Sequence, residues 1–311
     1  MGVDELSPAD VPVEEMIKSF KTRLRGLKPL NPVTLPRVVQ IETTNRCNRR
    51  CIYCNPQRGY GMAPGYMSEE TLTATLKAFN SEPLQRSVHE IRPYVNGDPL
   101  MDADRMPHIL NRIREAFPRA KTVLYSNGSE YRKAEMFLNP NLDEVHFTVS
   151  ASKRETYMKI HGGDGFEDAV KTVKMLVRRR RGVYVHFVVC TLNASELPKW
   201  RVLFHGVAQR VSPLHVSASQ QVSLGLLDAG VNEAVEADVC DVVNLPRSML
   251  CNCWDNQSVS WEGLYMMCPA SRYSDNYGSV YELSGEEAFA RRLLRGVSSG
   301  GCVGCNMVRK T

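Results

Sequence analysis

The sequence predicts an α/β protein in which a parallel sheet with helical crossovers is followed by a smaller C-terminal domain. Six apolar, strand-like runs alternate with helical patterns along the first 220 of its 311 residues. Parallel neighbouring strands need such crossovers, so the alternation indicates a parallel sheet. Several runs are nearly continuous in Val, Ile and Phe, which is typical of strands that are buried on both faces. After residue 220 the alternation stops and cysteines become frequent.

The predicted strands are the runs VVQIETT, HEIRPYV, TVLYS, EVHFTVS, VYVHFVVC and LHVSAS. The helical patterns that separate them are SEETLTATLKAF, ADRMPHILNRIREAF, EYRKAEMFL, EDAVKTVKMLVRRR and ELPKWRVLFHGVAQR. Three segments follow from this order. Residues 1–35 form an N-terminal extension with a short amphipathic stretch and a proline-punctuated connector, residues 36–220 form the sheet domain, and residues 221–311 form the C-terminal domain.

Composition and charge limit the class of protein. Hydrophobic residues make up 43% of the chain, and no apolar run approaches the roughly 20 residues of a membrane span. The first residues carry acids and no apolar stretch, so we expect no signal peptide, no membrane partner and a cytoplasmic protein. The net charge of +5 is well mixed except at Arg178 to Arg181, where cations complement the carbonyl end of a helix. We therefore expect no nucleic-acid partner, and an anionic substrate group stays open.

Clustered cysteines are the strongest chemical signal in the chain. Cytoplasmic thiols stay reduced, so ten cysteines without a secretory signal indicate metal binding or catalysis rather than disulfides. Three of them, Cys47, Cys51 and Cys54, follow the first predicted strand in C-x3-C-x2-C spacing. An iron–sulfur cube takes four thiolates, so three in one loop leave one iron free to bind substrate. Zinc is the alternative, but it needs a fourth ligand, and the nearest histidine in sequence is His89.

This segment, with Tyr53 directly before the third cysteine, strongly resembles the radical S-adenosylmethionine (radical SAM) superfamily. The resemblance implies that the three cysteines hold a [4Fe-4S] cluster whose open iron binds S-adenosylmethionine. It also implies reductive cleavage of that cofactor to a 5′-deoxyadenosyl radical, an electron donor such as flavodoxin or ferredoxin, and a partial (β/α)6 barrel open at one side. Tyr53 is expected near the adenine, with interior packing as the alternative.

Further motifs fall at predicted strand ends, where the open sites of parallel α/β sheets lie. The stretch NGDPL resembles the family's G-G-E-P motif, with Asn96 and Asp98 as departures, although alone it is an ordinary turn. Gly97 lets the backbone approach a ligand closely. Ser150 lies where the family places a polar residue on the ribose hydroxyls, but Ala and Ser follow it in place of Asp-Gly. The cofactor-binding residues that the resemblance implies are Tyr53, Asn96, Gly97, Asp98, Ser126, Asn127, Ser150 and Asn193.

A second group of cysteines marks the C-terminal domain. The segment from Cys251 to Cys268 contains a W-E-G turn and fits C-x(9-15)-G-x4-C, which resembles the opening of SPASM and twitch auxiliary-cluster domains. A glycine turn suits a hairpin that brings two thiols onto one metal centre. One C-x2-C pair follows, so the count favours the twitch form with a single auxiliary [4Fe-4S] cluster, and a zinc ribbon is the alternative. The predicted ligands are Cys251, Cys268, Cys302 and Cys305, with Cys253 as an alternative.

Cys190 ends the fifth predicted strand and is a candidate hydrogen-atom donor to a product radical. A lone cysteine in an apolar strand is more often a small core residue. The same expectation, a core or surface position, applies to His161, His186 and His215.

Together these features favour an enzyme over an iron–sulfur carrier, because a carrier has no use for a three-cysteine loop with an open iron. We expect an oxidoreductase that abstracts hydrogen from a small polar substrate, sugar-like or aminocyclitol-like, with the auxiliary cluster assisting a two-electron oxidation. The short N-terminal extension offers no separate domain to hold a leader peptide. A peptide maturase that forms thioether or carbon–carbon links, or epimerises a residue, is the alternative.

Overall fold

The computed structural model describes residues 35–54, 63–213, 255–266 and 276–295, and its strands form a nine-stranded sheet. The strands are β1 (Val38–Ile41), β2 (Glu90–Arg92), β3 (Lys121–Ser126), β4 (Glu144–Thr148), β5 (Val183–Val189), β6 (Ala208–Pro213), β7 (Asn256–Val259), β8 (Leu264–Met266) and β9 (Asn276–Ser279). Their order across the sheet is β6-β5-β4-β3-β2-β1-β7-β8-β9. Strands β1 to β6 are parallel to one another, which confirms the predicted α/β class with an open parallel sheet.

Helices connect the parallel strands. They are α1 (Glu69–Ala78), α2 (Glu82–Ser87), α3 (Met106–Ala116), α4 (Arg154–His161), α5 (Phe166–Arg179), α6 (Leu197–Leu203) and, after β9, α7 (Gly285–Arg295). Short 3-10 helices span Pro99–Asp102, Tyr131–Leu138 and Ala194–Glu196. Helix α1 begins where its sequence favours a start, because the Ser68 hydroxyl accepts the Thr71 N–H and two acids occupy the first turn.

The structure matches the first five predicted strands and differs at the sixth. Strand β6 is formed by Ala208–Pro213, of which the sequence pattern assigns the first part to a helix, and the run LHVSAS lies outside the described residues. Helix α6 ends at Leu203, and Gly206 at φ +82° turns the chain back toward the sheet. The polar sequence of β6 hides its strand character, because an edge strand needs no continuous apolar run. The pattern also gives no sign of α4.

The apolar core lies between the helices and one face of the sheet. Side chains of β5 alternate between buried and half-buried, as expected for the period of two along a strand. The ring of Phe187, in the buried set, lies 5.1 Å from that of Trp200 on α6. On β4, Phe147 meets Phe137 edge to face at 5.1 Å. One residue in two along the central strands is therefore committed to packing against helices.

The opposite face of the sheet is polar. The His146 ring stacks between Tyr125 and Tyr184 at centroid distances of 4.4 and 4.5 Å. A guanidinium lies over each of these tyrosines, Arg92 over Tyr125 and Arg210 over Tyr184. Core packing does not explain why one face of the sheet carries histidines, tyrosines and arginines, since polar groups are costly to bury unless they have partners. We call this surface the polar face and define it by Arg92, Tyr125, His146, Tyr184, His186 and Arg210.

The described C-terminal residues extend the same sheet. Strand β7 pairs in parallel with β1, and β8 and β9 follow as antiparallel strands. Gly263, at φ +86°, makes the tight turn between β7 and β8 that the W-E-G sequence predicts. Outside the described residues lie the candidate auxiliary ligands Cys251, Cys253, Cys268, Cys302 and Cys305. The twitch domain and the three segment boundaries therefore stay predictions. Within the described ranges, no helix is long and apolar enough to cross a membrane.

Replacing Phe187 by Ala should lower the free energy of unfolding by about 3–5 kcal/mol, because the ring is fully buried against Trp200. Val202→Ala is the matched control, since Val202 is 76% exposed on α6, and its effect should stay within about 0.5 kcal/mol. Urea unfolding followed by circular dichroism compares the two variants. Equal unfolding midpoints would contradict the position of this core.

Candidate active site at the carboxyl ends of the strands

The cysteine loop, which we define as residues 42–54, leaves the carboxyl end of β1. It carries three half-buried free thiols, those of Cys47, Cys51 and Cys54. Its backbone is fixed against the end of α4, because Arg50 N–H donates to the His161 carbonyl at 3.1 Å. Ile52 N–H likewise donates to the Ile160 carbonyl at 2.9 Å. These main-chain hydrogen bonds hold the three thiols in one place.

The thiols lie close enough to oppose one another's ionisation. Burial, followed by the charges of Cys54 and Cys47, raises the pKa of Cys51 well above its usual range. Burial and then the Asp98 carboxylate raise the pKa of Cys47 to about 12. Thiolates packed in this way need a cationic centre, and iron–sulfur clusters are held by such thiolates. The donor set of the loop therefore fits a [4Fe-4S] cluster with three protein ligands.

Asp98 ties the ends of β2 and β3 to the cysteine loop. Its buried carboxylate accepts hydrogen bonds from the Ser126 hydroxyl at 2.9 Å and the Asn127 N–H at 2.7 Å. It also accepts the Leu100 N–H at 3.0 Å, and its own N–H donates to the Arg46 carbonyl at 2.9 Å. Burial raises the pKa of Asp98 although these donors act in the opposite direction. Both carboxylate oxygens thus have protein donors, and a contact with the cofactor's amino group stays a prediction.

Gly97 is needed where β2 ends because the cysteine loop passes directly over it. A Cβ at this position would collide with the carbonyl oxygens of Thr44 and Arg46. The neighbouring Asn96 donates its N–H to Glu42, at the start of the loop, at 3.2 Å. The close approach predicted for Gly97 is therefore one between Gly97 and the protein's own backbone. Ligand contacts of Asn96 and Gly97 stay predictions.

Asn127 and Arg49 fix the first half of the loop. Asn127 Nδ2 donates to the side-chain oxygen Oδ1 of Asn48 at 2.9 Å and lies 3.9 Å from the sulfur of Cys47. Arg49 is buried and donates from Nε to the Ser129 hydroxyl at 2.8 Å. The sequence gives no sign of this role, because nothing distinguishes Arg49 from a surface arginine.

Ser150 connects the loop to the ends of β4 and β5. The Tyr53 hydroxyl lies 3.5 Å from Ser150 Oγ, which accepts the Val188 N–H at 3.1 Å. Asn193 is fully buried, and its Nδ2 donates to the Ser150 and Val188 carbonyls at 2.8 and 2.9 Å. Its Oδ1 accepts the Cys190 N–H at 2.8 Å. Asn193 therefore joins two strand ends, and cofactor contacts of Tyr53, Ser150 and Asn193 stay predictions.

Cys190 lies in a small apolar cluster next to the cysteine loop. It packs with Ile160, and Ile52, Tyr53 and Val188 surround the pair. Burial raises the pKa of the Cys190 thiol, so it keeps the S–H that a hydrogen-atom donor needs. The structure brings it close to the loop, and its donor role stays a prediction.

His161 contacts the cysteine loop directly, although its sequence context predicts only a core or surface histidine. Its Nδ1 lies 3.4 Å from the sulfur of Cys51, and its Nε2 accepts the Ser150 backbone N–H at 3.2 Å. A neutral imidazole that accepts at Nε2 carries its proton on Nδ1, so Nδ1–H donates to the sulfur. Burial, and then the Arg49 charge, lower the pKa of His161 to about 3. The available sequence signal is the Gly pair after His161, which lets α4 end tightly against the loop.

The comparison with known families agrees with this geometry. Residues 41–201, just over half of the chain, match the model described as the radical SAM superfamily. The chain belongs to this superfamily. The matched range contains the cysteine loop and the ends of β2 to β5. Membership implies a [4Fe-4S] cluster and S-adenosylmethionine as cofactors, and Cys47, Cys51 and Cys54 are the residues that would hold the cluster.

Curated relatives include proteins named GTP 3',8-cyclase. The one from Limosilactobacillus fermentum is 28% identical over 144 residues, which cover 44% of this chain and 42% of that protein. The one from Lactiplantibacillus plantarum is 23% identical over 279 residues, 88% of this chain and 76% of that protein. The chain thus aligns with less than half of the first relative and about three quarters of the second.

Solved structures with the same fold include other radical SAM proteins. BtrN in complex with AdoMet and 2-DOIA has a TM-score of 0.52 and 16% identity, covering 88% of this chain and 93% of BtrN. Streptococcus suis SuiB bound to S-adenosylmethionine has a TM-score of 0.63 and 11% identity, covering 93% of this chain and 74% of SuiB. At these identities the likeness establishes the fold alone.

Cys51→Ala should abolish formation of 5′-deoxyadenosine by the anaerobically reconstituted, reduced protein. One of the three thiols that fit the cluster is then missing, and the open-iron arrangement is lost. Chromatography of the nucleoside products measures the effect, and Cys240→Ala serves as the matched cysteine control. Turnover of the Cys51 variant at the control rate would refute the ligand assignment.

His161→Phe should shift the midpoint potential of this cluster to a more negative value. The Nδ1–H bond favours the reduced cluster, whose sulfurs carry more charge, and a difference of about 1 kcal/mol corresponds to about 40 mV. Redox titration followed by electron paramagnetic resonance gives the potential. Tyr157→Phe is the control, because its ring lies 4.2 Å from that of His161 without supplying the N–H. An unchanged potential in a folded His161 variant would argue against the hydrogen bond.

Proposed function

We propose that this protein is a radical SAM oxidoreductase that removes two electrons from a small polar molecule. The observation that carries the proposal is the polar face, which leads along the strands to the cysteine loop. Val188, two residues beyond His186 on the same side of β5, packs against the Cys190–Ile160 pair, as do Ile52 and Tyr53 of the loop. A substrate on this face would therefore lie next to the site that fits the cluster.

The polar face offers partners for hydroxyl, amino and anionic groups. Burial lowers the pKa of His146 to about 4 and that of His186 to about 3, so both imidazoles are neutral at physiological pH. Arg92 is half-buried and pairs with Glu90 at 2.5 Å, whereas Arg210 stands on the edge strand β6. Neutral imidazoles both donate and accept hydrogen bonds, and guanidiniums bind anions. This set is better matched to a small polar molecule than to an apolar one.

When bound, the cluster and S-adenosylmethionine supply a 5′-deoxyadenosyl radical, which abstracts a hydrogen atom from carbon. The protein's contribution is to keep the thiols in register and to place the target carbon. Asp98 and Gly97 hold the cysteine loop against the strand ends, as described above. The stacked rings of Tyr125, His146 and Tyr184 form a rigid surface, so a substrate hydrogen-bonded to it has few orientations.

A two-electron oxidation also needs loss of a proton and of one further electron from the substrate radical. We propose an auxiliary [4Fe-4S] cluster as the electron acceptor, with Cys251, Cys268, Cys302 and Cys305 as ligands and Cys253 as the alternative to one of them. The likeness of the fold to BtrN, whose complex contains AdoMet and 2-DOIA, supports a small polar substrate.

A redox-neutral cyclisation of a nucleotide is the second candidate. The relatives named GTP 3',8-cyclase support it, one of them over 88% of this chain. Arg92 and Arg210 on the polar face are groups that bind phosphate oxygens. A peptide maturase is supported by likeness of fold alone.

Deuterium transfer distinguishes these candidates. Reduced protein is incubated with S-adenosylmethionine and either a deuterated aminocyclitol or GTP deuterated on its ribose. We expect deuterium in 5′-deoxyadenosine and a product two mass units lighter, after correction for the label, from the aminocyclitol. Deuterium from GTP with no net oxidation would favour the cyclase. Transfer from neither compound would overturn the assignment to these substrate classes.

Cys268→Ala should leave formation of deuterated 5′-deoxyadenosine measurable and abolish the oxidised product. The reason is that the proposed second cluster accepts the last electron and has no ligand in common with the first. Iron content should fall from about eight to about four atoms per chain. Circular dichroism must show a folded variant, because a metal can hold its own domain together. Normal product from a folded variant would make the second cluster structural and favour redox-neutral chemistry.

A further inference from the structure

Three side chains of the sheet form a continuous hydrogen-bonded chain on the polar side. Glu144 Oε2 lies 3.2 Å from His146 Nε2, and His146 Nδ1 lies 2.7 Å from His186 Nε2. Glu144 and His146 belong to β4, and His186 belongs to the neighbouring strand β5. We call these three residues the relay. None of them has a part in holding the cysteine loop.

The carboxylate fixes the direction of each hydrogen bond in the relay. Burial raises the pKa of Glu144, but hydrogen bonds from Lys121 and His146 outweigh burial and lower this pKa below its usual value. The Glu144 carboxyl group is therefore ionised and only accepts hydrogen bonds. His146 therefore carries its proton on Nε2 and accepts at Nδ1 from the Nε2–H of His186. The remaining nitrogen, His186 Nδ1, is a bare lone pair. Within the part of the chain that the structure describes, it receives no hydrogen bond.

The relay runs along the strands toward the cysteine loop. Glu144 is the first residue of β4, at the amino end of the sheet. His186 pairs in register with Thr148, whereas His146 pairs with Tyr184, so His186 lies two residues nearer the carboxyl end of the sheet than His146. Val188, about 7 Å further along the same side, packs against the Cys190–Ile160 pair that Ile52 and Tyr53 of the loop also contact. Along the strand direction, His186 thus lies between the loop and the half-buried Glu144 carboxylate.

Charges around the relay oppose a positive charge on it. The groups that face it are Arg92 and Glu90 from β2, Lys121 and Tyr125 from β3, Tyr184 from β5 and Arg210 from β6. Burial and the Arg210 charge disfavour an imidazolium at either histidine. A proton that reaches His186 is therefore expected to move along the relay to the Glu144 carboxylate, its negatively charged end.

We propose that His186 is the acid–base residue of this enzyme and accepts a proton from a hydroxyl or amino group of the substrate. The proton goes to His186 Nδ1, the Nε2–H of His186 goes to His146 Nδ1, and the Nε2–H of His146 goes to Glu144. One proton leaves the substrate, one arrives on the carboxylate, and no electron moves. After product release, the reverse sequence returns the proton to water. This inference rests on the proposed oxidation, in which the carbon that loses hydrogen carries such a group.

Nitrogen chemical shifts test the relay without any substrate. Long-range 1H–15N spectra of the oxidised holoenzyme, labelled at its seven histidines, report the tautomer of each ring. We expect both relay histidines to carry the proton on Nε2. In Glu144→Gln the amide donates as well as accepts, so a fraction of His186 should move its proton to Nδ1. A wild-type His186 with the proton on Nδ1 would overturn the proposal.

Turnover of the deuterated aminocyclitol tests the chemistry. In His186→Ala and in the isosteric Glu144→Gln, at saturating substrate, oxidised product should fall by a larger factor than deuterated 5′-deoxyadenosine. Oxidised product should fall about 100- to 10,000-fold in the His186 variant, the range for loss of a positioned acid–base group. His108→Ala, a histidine half exposed on α3, is the matched control.

Each outcome has one meaning. Equal loss of deuterated 5′-deoxyadenosine and of oxidised product in a folded variant would show a structural role for His186. Undiminished oxidised product would show that His186 accepts no proton. Either result overturns the proposal. If wild-type protein takes no deuterium from the aminocyclitol, the proposed function fails while the nitrogen shifts still decide the state of the relay.

Discussion

Every group proposed to act in this protein depends on the position of the cysteine loop, and main-chain hydrogen bonds set that position. The end of α4 holds one side of the loop, and the N–H of Asp98 holds the other. The Asp98 carboxylate accepts two further hydrogen bonds from Ser126 and Asn127 at the end of β3, and one from the N–H of Leu100. Leaving a buried donor unsatisfied costs about 1–3 kcal/mol, so this one carboxylate stabilises the junction of the loop with the ends of β2 and β3.

The strands serve packing and chemistry with alternate residues. On β5, Phe187 belongs to the helix-facing core, while Tyr184 and His186 belong to the polar face. A register slip of one residue would exchange the two sets and bury the imidazoles among aliphatic side chains. The apolar packing that makes the sheet rigid also fixes the angles at which the polar groups stand. Stability and site geometry are therefore properties of the same strands.

Local patterns in the sequence were sufficient for the sheet class, five strands and the cysteine loop, because spacing and strand periodicity are local features. They were insufficient for β6, whose polar edge sequence is continuous with the preceding helical pattern. His161 and the relay depend on contacts between separate elements: His161 meets Cys51 across 110 residues, and His146 meets His186 across 40. A histidine in a strand looks the same whether or not another strand supplies its partner. Asp98 was singled out for the cofactor, yet its protein partners became visible only in three dimensions.

The pairing of β7 with β1 has a consequence for how the chain folds. Ser258 Oγ donates to the Gln40 side chain at 3.0 Å, a contact that spans 218 residues. Until residues beyond 255 leave the ribosome, β1 has one unpaired edge, and this is the strand that leads into the cysteine loop. Unpaired edges attract other chains, and long-range pairings close slowly. The thiols that need a cluster are thus carried, during synthesis, by a strand that gains its second partner only late.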